Sequence, residues 1–416
     1  MTAIVGILNR RGIAIAADSA STITTDKGSK VVNTETKIFQ LSKHHPVAVM
    51  IYGRADFLHT PWDLIIKLYS QKRGDIARGS LKEYVDDFLE FITSETFFFN
   101  DEMQKYSLAC QLTDFYCFER ETASEDYTKA NKKEGNKKSF SDCFKEELED
   151  TKQHCMDKPE KCTQMADYSW EVFKRDSKEI IDSIIEKGFM EDDIDVNLRE
   201  IFEETAFEWL KSTFFIDKST GLVFVGYGEN HIYPSIYPIE VSGAFDNRLR
   251  HWVNENRIYQ VGCDKMASIC PFGQDDVMRT FMNGISPELL EKAMDTMEEA
   301  VEQTRADIYQ KLAEAGVDAE ILKLVENDGN EEITEKLKDN FFSGIHQEKN
   351  DGFLRAAAEF NISELANMAE KLVSITNQQR HFTLNEQTVD GPVDVAVITL
   401  DEGFVWVKRK LFPAIS

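Results

Sequence analysis

Hydrophobic residues follow two rhythms along this chain, and the switches between them divide it. The opening reads as β: the apolar run Ala3–Leu8, a turn over Asn9–Gly12, and a second run Ile13–Ala17 ending at Asp18-Ser19. Two more strands are predicted at Lys37–Leu41 and Val47–Tyr52, separated by the polar turn Ser42–His45 and closed by Gly53. From Ala55 the period becomes helical. Leu81, Tyr84, Val85, Phe88, Leu89 and Ile92 fall on one face behind a capping box of Ser80 and Glu83. From 97 to 215, helical pieces such as Lys178–Lys187 and Asn197–Ser212 alternate with a solvated, lysine-rich turn at Lys129–Lys138, which predicts an inserted helical subdomain. Strand signals return at Leu222–Tyr227, Ile232–Tyr237 and Ile258–Val261. A long helix starts at Ser286-Pro287, with proline at its first position, stops at Gly316, and is followed by more helix to about Gln378. A hairpin of Val393–Leu400 and Phe404–Lys408, turning over Asp401–Gly403, closes the chain.

The order strands, helices, strands, helices, strands predicts an α+β fold, a four-layer αββα sandwich of two antiparallel sheets with helices outside. A single domain is expected, with its core at about 2–95, 220–285 and 365–416, a helical insertion at about 97–215 and a helical elaboration at about 286–364.

Composition narrows the function classes. With 416 residues and 42% hydrophobic content the chain can bury a large core, and its net charge of −26 argues against nucleic acid or an anionic membrane as the main partner. No long uncharged apolar run is present, and the opening MTAIVGILNRRG is interrupted by Arg10 and Arg11 too soon for a signal peptide, so a cytoplasmic location is expected. Seven irregularly spaced cysteines fit reduced thiols, and His154-Cys155 with Cys162 lacks the paired close spacings of a zinc site. His44-His45 before Pro46 falls in a turn and reads as solvent-facing. No P-loop, Gly-x-Ser-x-Gly, HExxH or dinucleotide fingerprint occurs, so neither a cofactor nor a metal is expected, and any ATPase would be a separate protein.

The candidate chemistry lies at the start. A threonine directly behind Met1, leading into a buried-looking strand, puts a hydroxyl on a rigid element, and a small second residue permits removal of the initiator methionine. The exposed α-amino group would titrate near ~7.7–8.0, which suits a base that takes and returns a proton at neutral pH. Thr2 could then attack through Oγ while its own amine accepts the proton.

The segments TAIVGILNRRGIAIAADSAST, TKIFQL and AVMIYGRADF resemble the start of proteasome β subunits and their bacterial relatives, the HslV and Anbu peptidases. The resemblance covers residues 2–95, about 220–285 and about 365–410, and implies an N-terminal-nucleophile hydrolase. Carried over position by position, it makes Thr2 the nucleophile, Asp18 the aspartate that ends the second strand, and Lys37 the lysine that begins the third. A lysine cation favours the alkoxide-like state of the threonine, and a carboxylate holds that cation oriented. The oxyanion hole is implied at a backbone N–H of the Tyr52-Gly53-Arg54-Ala55-Asp56 turn, either Gly53 or Tyr52. The backbone at Thr22 and around Arg54 would hold an extended peptide by strand addition, with Met50 and Arg54 lining the first specificity pocket; the arginine hints at acidic or polar side chains.

Two departures accompany the likeness. Pro271-Phe272-Gly273-Gln274 stands where many members carry Gly-Ser-Gly, and only Glu386, Thr388 and Asp390 stand where they carry an aspartate and a serine before the last hairpin. The resemblance implies a threonine peptidase acting on peptides or unfolded proteins inside a homo-oligomeric ring, with a separate ATPase unfoldase as a possible partner. A small-molecule amidohydrolase on the same fold and a catalytically silent scaffold are the alternatives. Against the scaffold, its α-type subunits carry a helix before the first strand, whereas only Met1 precedes Thr2 here.

Overall fold

The computed structural model describes residues 2–25, 28–32, 35–132, 138–157, 161–190, 192, 194–216, 219–317, 336, 350–382 and 391–410. Its strands are β1 (Ala3–Asn9), β2 (Gly12–Ala17), β3 (Ser21–Thr25), β4 (Gly28–Val32), β5 (Ile38–Gln40), β6 (Val47–Gly53), β7 (Asp56–Phe57), β8 (Thr60–Pro61), β9 (Thr220–Gly226), β10 (Ser235–Phe245), β11 (Arg248–Trp252), β12 (Tyr259–Gln260), β13 (Ala267–Gly273), β14 (Asp394–Thr399) and β15 (Gly403–Lys408). Helices α1 (Trp62–Arg73), α2 (Leu81–Ser94), α3 (Asp101–Lys132), α4 (Phe140–Asp157), α5 (Trp170–Ile184), α6 (Arg199–Lys211), α7 (Asp276–Asn283) and α8 (Pro287–Glu314) follow in order, then α9 over 350–359 and α10 (Ile362–Phe382). This is the α+β class with antiparallel sheets that the order of rhythms predicts. Among the described residues no helix is long and apolar enough to cross a membrane.

The chain divides into two compact units. The first is Met1–Glu35, Val261–Val397 and Trp406–Ser416; the second is Thr36–Gln260 with Ile398–Val405. In the first, the sheet runs β13-β1-β2-β14-β15, with β1 antiparallel to β13 (Val5↔Pro271) and to β2 (Val5↔Ala16). Every residue of β1 and β2 is buried, as their unbroken apolar runs require. Alternate residues Ala3, Val5, Ile7, Ala14 and Ala16 meet Leu365, Ala369 and Val373 of α10 and Met278 of α7. The small side chains of β2 let α10 lie close to the strands.

The second unit is built on the sheet β11-β10-β9-β6-β5. Helices α1 and α2 cover it, with Phe88 meeting Phe224 edge to face at 5.3 Å between ring centres. The capping box of α2 is present: Ser80 Oγ accepts the Glu83 N–H at 3.2 Å, and the Glu83 carboxylate accepts the Gly79 N–H at 3.0 Å. Helices α3 to α6 share a separate core containing Phe115, Phe144, Phe173, Phe189, Phe202 and Trp209. α3 lies against β10 at Gly243, where a Cβ would sit 2.5 Å from Ser107 Oγ, so a side chain there would have to displace Ser107 and Gln111. The strand expected at Ile232–Tyr237 instead begins at Ser235, runs to Phe245, bulges between Val241 and Gly243, and turns into β11. Pro234 and Pro238 had obscured its alternation. β13 and the β3–β4 hairpin also form without having been predicted as strands.

Candidate active site

In the first unit Thr2 directly precedes β1 and is 6% exposed. Its carbonyl accepts the Gln274 N–H at 2.8 Å, one residue beyond the Ala3↔Gly273 pair, so the pairing of β1 with β13 extends through Thr2. Asp18, 1% exposed, stands where β2 ends beside the start of β1. Its Oδ1 accepts the Ala3 N–H at 2.9 Å and its Oδ2 the Ala20 N–H at 3.0 Å, while its own N–H donates to the Ala3 carbonyl at 3.1 Å. Thr2 and Asp18 are thereby brought together: the carboxylate is bonded to the peptide N–H that immediately follows the threonine. Ser19 Oγ donates to the Pro392 carbonyl at 2.6 Å and ties this corner to the residues before β14.

The corner contains a pair that sequence reasoning missed. Asp394, buried at the head of β14, accepts the Lys410 N–H at 2.7 Å, and the Lys410 ammonium stands 3.6 Å from its other oxygen. Lys410 Nζ also donates to the Glu35 carbonyl. Burial pushes the Lys410 pKa down, while the charges of Asp394, Glu35 and Asp18 act in the opposite direction. In the sequence Lys410 is the third residue of a Lys-Arg-Lys run, a pattern that does not single it out.

In the second unit Lys37, 6% exposed, enters β5, and its carbonyl accepts the Ile51 N–H at 2.9 Å. The next pair, Ile38↔Met50, sets Lys37 beside the end of β6, where Met50, Tyr52, Gly53 and Arg54 follow. Met50 is fully buried, and the Tyr52 hydroxyl donates to Glu240, whose other oxygen accepts from Ser219 Oγ at 3.1 Å. Burial pushes the Glu240 carboxyl up from its ordinary range. Gly53 has φ of +82°, and a Cβ there would sit 2.3 Å from the Ser219 carbonyl, so the turn requires glycine.

Arg54 bonds inward: its N–H donates to the Ser219 carbonyl at 3.1 Å, and its carbonyl accepts from Thr220 Oγ1 at 2.9 Å. Its guanidinium lies 3.8 Å from both Asp56 and Asp114. A cation expected to attract acidic side chains already has two carboxylates beside it. Thr22 lies in β3 opposite Val31. Glu386, Thr388 and Asp390 lie outside the described residues.

Comparison with known proteins gives a structural likeness only. No family model matches the sequence, and no curated protein does. Among solved structures, the chain is similar to an Anbu (Gly-1) mutant from Hyphomicrobium sp. strain MC1, at 9% identity and a TM-score of 0.32, covering 99% of this chain and 86% of that one. Anbu from the same strain matches at 10% identity and a TM-score of 0.30, covering 98% and 86%. Anbu, described as an ancestral β-subunit, from Yersinia bercovieri matches at 9% and 0.30, covering 98% and 87%. The structural neighbours are Anbu proteins. At these identities and TM-scores the likeness assigns this chain no activity.

The chemistry open to the two groups of residues follows from what they are. The first unit offers a hydroxyl on an anchored strand end beside a buried carboxylate; the second offers a buried lysine and a glycine turn on neighbouring strands. Among the described residues no three His, Cys, Asp or Glu side chains gather as metal ligands.

Proposed function

We propose that this chain is an N-terminal-nucleophile hydrolase of the proteasome β type that cleaves peptide bonds with Thr2. The observation that carries the reading is the anchoring of Thr2 through the peptide unit that follows it: its carbonyl accepts from Gln274 and the next N–H donates to Asp18. A nucleophile must be held in place to act.

With Met1 removed, Thr2 Oγ attacks the carbonyl carbon of the scissile bond and its α-amine takes the hydroxyl proton. The oxyanion is stabilised by a backbone donor of the glycine turn, with Gly53 as the first choice and Tyr52 the second. Collapse breaks the C–N bond, the α-ammonium returns the proton to the leaving amine, and an ester remains on Thr2. Water, deprotonated by the same amine, hydrolyses the ester. Lys37 supplies positive charge to the attacking oxygen, and Asp18 orients the site. Thr22, Tyr52 and Arg54 contact substrate, and Glu386, Thr388 and Asp390 are the candidates for the surrounding residues that support the site. The protein works in the cytoplasm as a ring of identical subunits on peptides or unfolded chains, and any ATPase unfoldase is a separate protein.

The test is a threonine-directed peptide epoxyketone, read by intact mass and by the mass of the N-terminal peptide. One adduct on Thr2 with Met1 absent, and none in Thr2→Ala, is expected. Retention of Met1 in protein from its natural host overturns the reading; Met1 absent with no adduct turns it to the amidohydrolase.

A further inference from the structure

We propose that Lys410 is a positioning residue of the Thr2 site: its ammonium fastens the corner that carries Asp18 and so holds Thr2 in place for attack. This role rests on the reading of Thr2 as the nucleophile and adds to it a second lysine, beyond Lys37. The residues concerned all belong to the first unit. Past the end of β2 at Ala17, contacts run in a closed ring through Ser19 and Lys410. Ser19 Oγ donates to the Pro392 carbonyl at 2.6 Å. Two positions on, Asp394 accepts the Lys410 N–H at 2.7 Å. The Lys410 ammonium donates to the Glu35 carbonyl, and the Glu35 N–H donates back to the Ser19 carbonyl at 3.3 Å. The ring ties together segments far apart in sequence, with Lys410 entering it through both its backbone and its side chain.

The ammonium is withdrawn from water to make these contacts. The Lys410 side chain is 16% exposed and that of Asp394 2%, and the ion pair between them spans 3.6 Å. A cation gives up hydration at a cost, and here the Glu35 carbonyl and the Asp394 carboxylate offset it. Asp18 is among the charges that favour the ammonium, which puts Lys410 within electrostatic reach of the carboxylate beside Thr2. Such a pair contributes little net stability compared with apolar side chains of the same volume. What it supplies at this corner is geometry.

Geometry passes from the ring to Thr2 through Asp18. The carboxylate spends one oxygen on the Ala20 N–H and the other on the Ala3 N–H, so a shift of the 18–20 corner moves the peptide unit that follows Thr2. A misplacement of about 1 Å can cost on the order of 100-fold in rate. Without the ammonium the ring opens at Glu35, the pair with Asp394 is lost, and the corner is held by fewer contacts. Lys410 acts through Ser19 and Asp18 and has no part in holding substrate, so its loss lowers the rate of attack and leaves binding unchanged.

The test is the rate at which a threonine-directed peptide epoxyketone modifies Thr2 in the full chain, resolved into a limiting rate and a half-saturating concentration. Lys410→Met, which keeps the length of the side chain without its charge, should lower the limiting rate about tenfold or more at unchanged half-saturation. Lys410→Arg should recover most of that loss. Circular dichroism verifies the fold of each variant, and Lys410→Gln serves if Lys410→Met does not fold. A second readout needs no reaction at Thr2: hydrogen exchange of the peptide containing the Asp18 and Ala20 N–H groups should quicken about tenfold in Lys410→Met. A wild type that forms no adduct counts against the nucleophile reading alone, and exchange then decides the role of Lys410. Unchanged exchange in Lys410→Met, an unchanged limiting rate where wild-type Thr2 does react, or a loss that Lys410→Arg leaves in full overturns the proposal.

Discussion

Asp18 and Glu119 are both withdrawn from solvent, one at a strand end and one in the middle of α3, yet they are treated oppositely. Asp18 accepts two backbone N–H groups. Among the described residues Glu119 has no hydrogen-bond partner of good geometry for either carboxylate oxygen. Burial pushes its pKa up to about 8, with the Thr151 hydroxyl opposing that rise and the charge of Glu147 adding to it. The difference shows what a buried acid needs. Where the backbone supplies donors, the carboxylate ties two segments together; where a helical core supplies none, burial favours the protonated form.

The largest effect that could break this contrast is in pH. An unfolded glutamate titrates near 4.5 and folded Glu119 near 8, so the unfolded chain loses its proton first. Stability is therefore full below the lower value, falls as pH rises between the two, and levels off above the higher one. The fall should be on the order of 4–5 kcal/mol for a group this deeply buried. Glu147, pushed up to about 7 by burial and by its bond to Asp126, adds slope of the same sign in part of that window. Urea unfolding of wild type and Glu119→Gln at several pH values separates the two contributions. The variant should lose most of the slope, and an unchanged slope would show that Glu119 is ionised in the folded protein.

Next in size is Asp18→Ala, which strips acceptors from two buried N–H groups at about 1–3 kcal/mol each. A loss of roughly 2–4 kcal/mol in urea unfolding is expected, and about half of that for Asp18→Asn, whose amide oxygen still accepts one bond. A loss under about 0.5 kcal/mol for Asp18→Ala would mean that solvent replaces the carboxylate and that the corner around Thr2 is open.

Much of this was legible in the sequence, for physical reasons that differ by residue. β1 and β2 were readable because both are buried throughout and show continuous apolar runs, whereas Asp18 was singled out by the resemblance, since the pattern alone marks it only as the end of a strand. The tie from Asp18 to the Ala3 N–H follows once the two strands pair. β10 was misread because Pro234 stands just before it and Pro238 interrupts its alternation. Asp394 with Lys410 could not be foreseen, since a basic run near the chain end gives no sign that one of its lysines turns inward. Arg250 was equally hidden. It is fully buried on β11, where it donates to the carbonyls of Trp209, Ser212 and Phe214 and stacks between Trp209 and Phe215. Its partners lie about forty positions away in sequence, and no local pattern announces them.

The smallest effect sharpens the comparison from the solvent side. Ser80 does for α2 what Asp18 does for β1, accepting a backbone N–H at the start of an element, but in an exposed turn. When its oxygen is removed, water can reach the Glu83 N–H, so most of the desolvation cost that makes Asp18 valuable is absent. Ser80→Ala should therefore cost only about 1 kcal/mol in urea unfolding. The Glu83 side chain, which also contacts the Gly79 N–H, should limit fraying of the first turn. If Ser80→Ala cost as much as Asp18→Ala, the number of bonds rather than their burial would set the scale, and the contrast between the two carboxylates would need another cause.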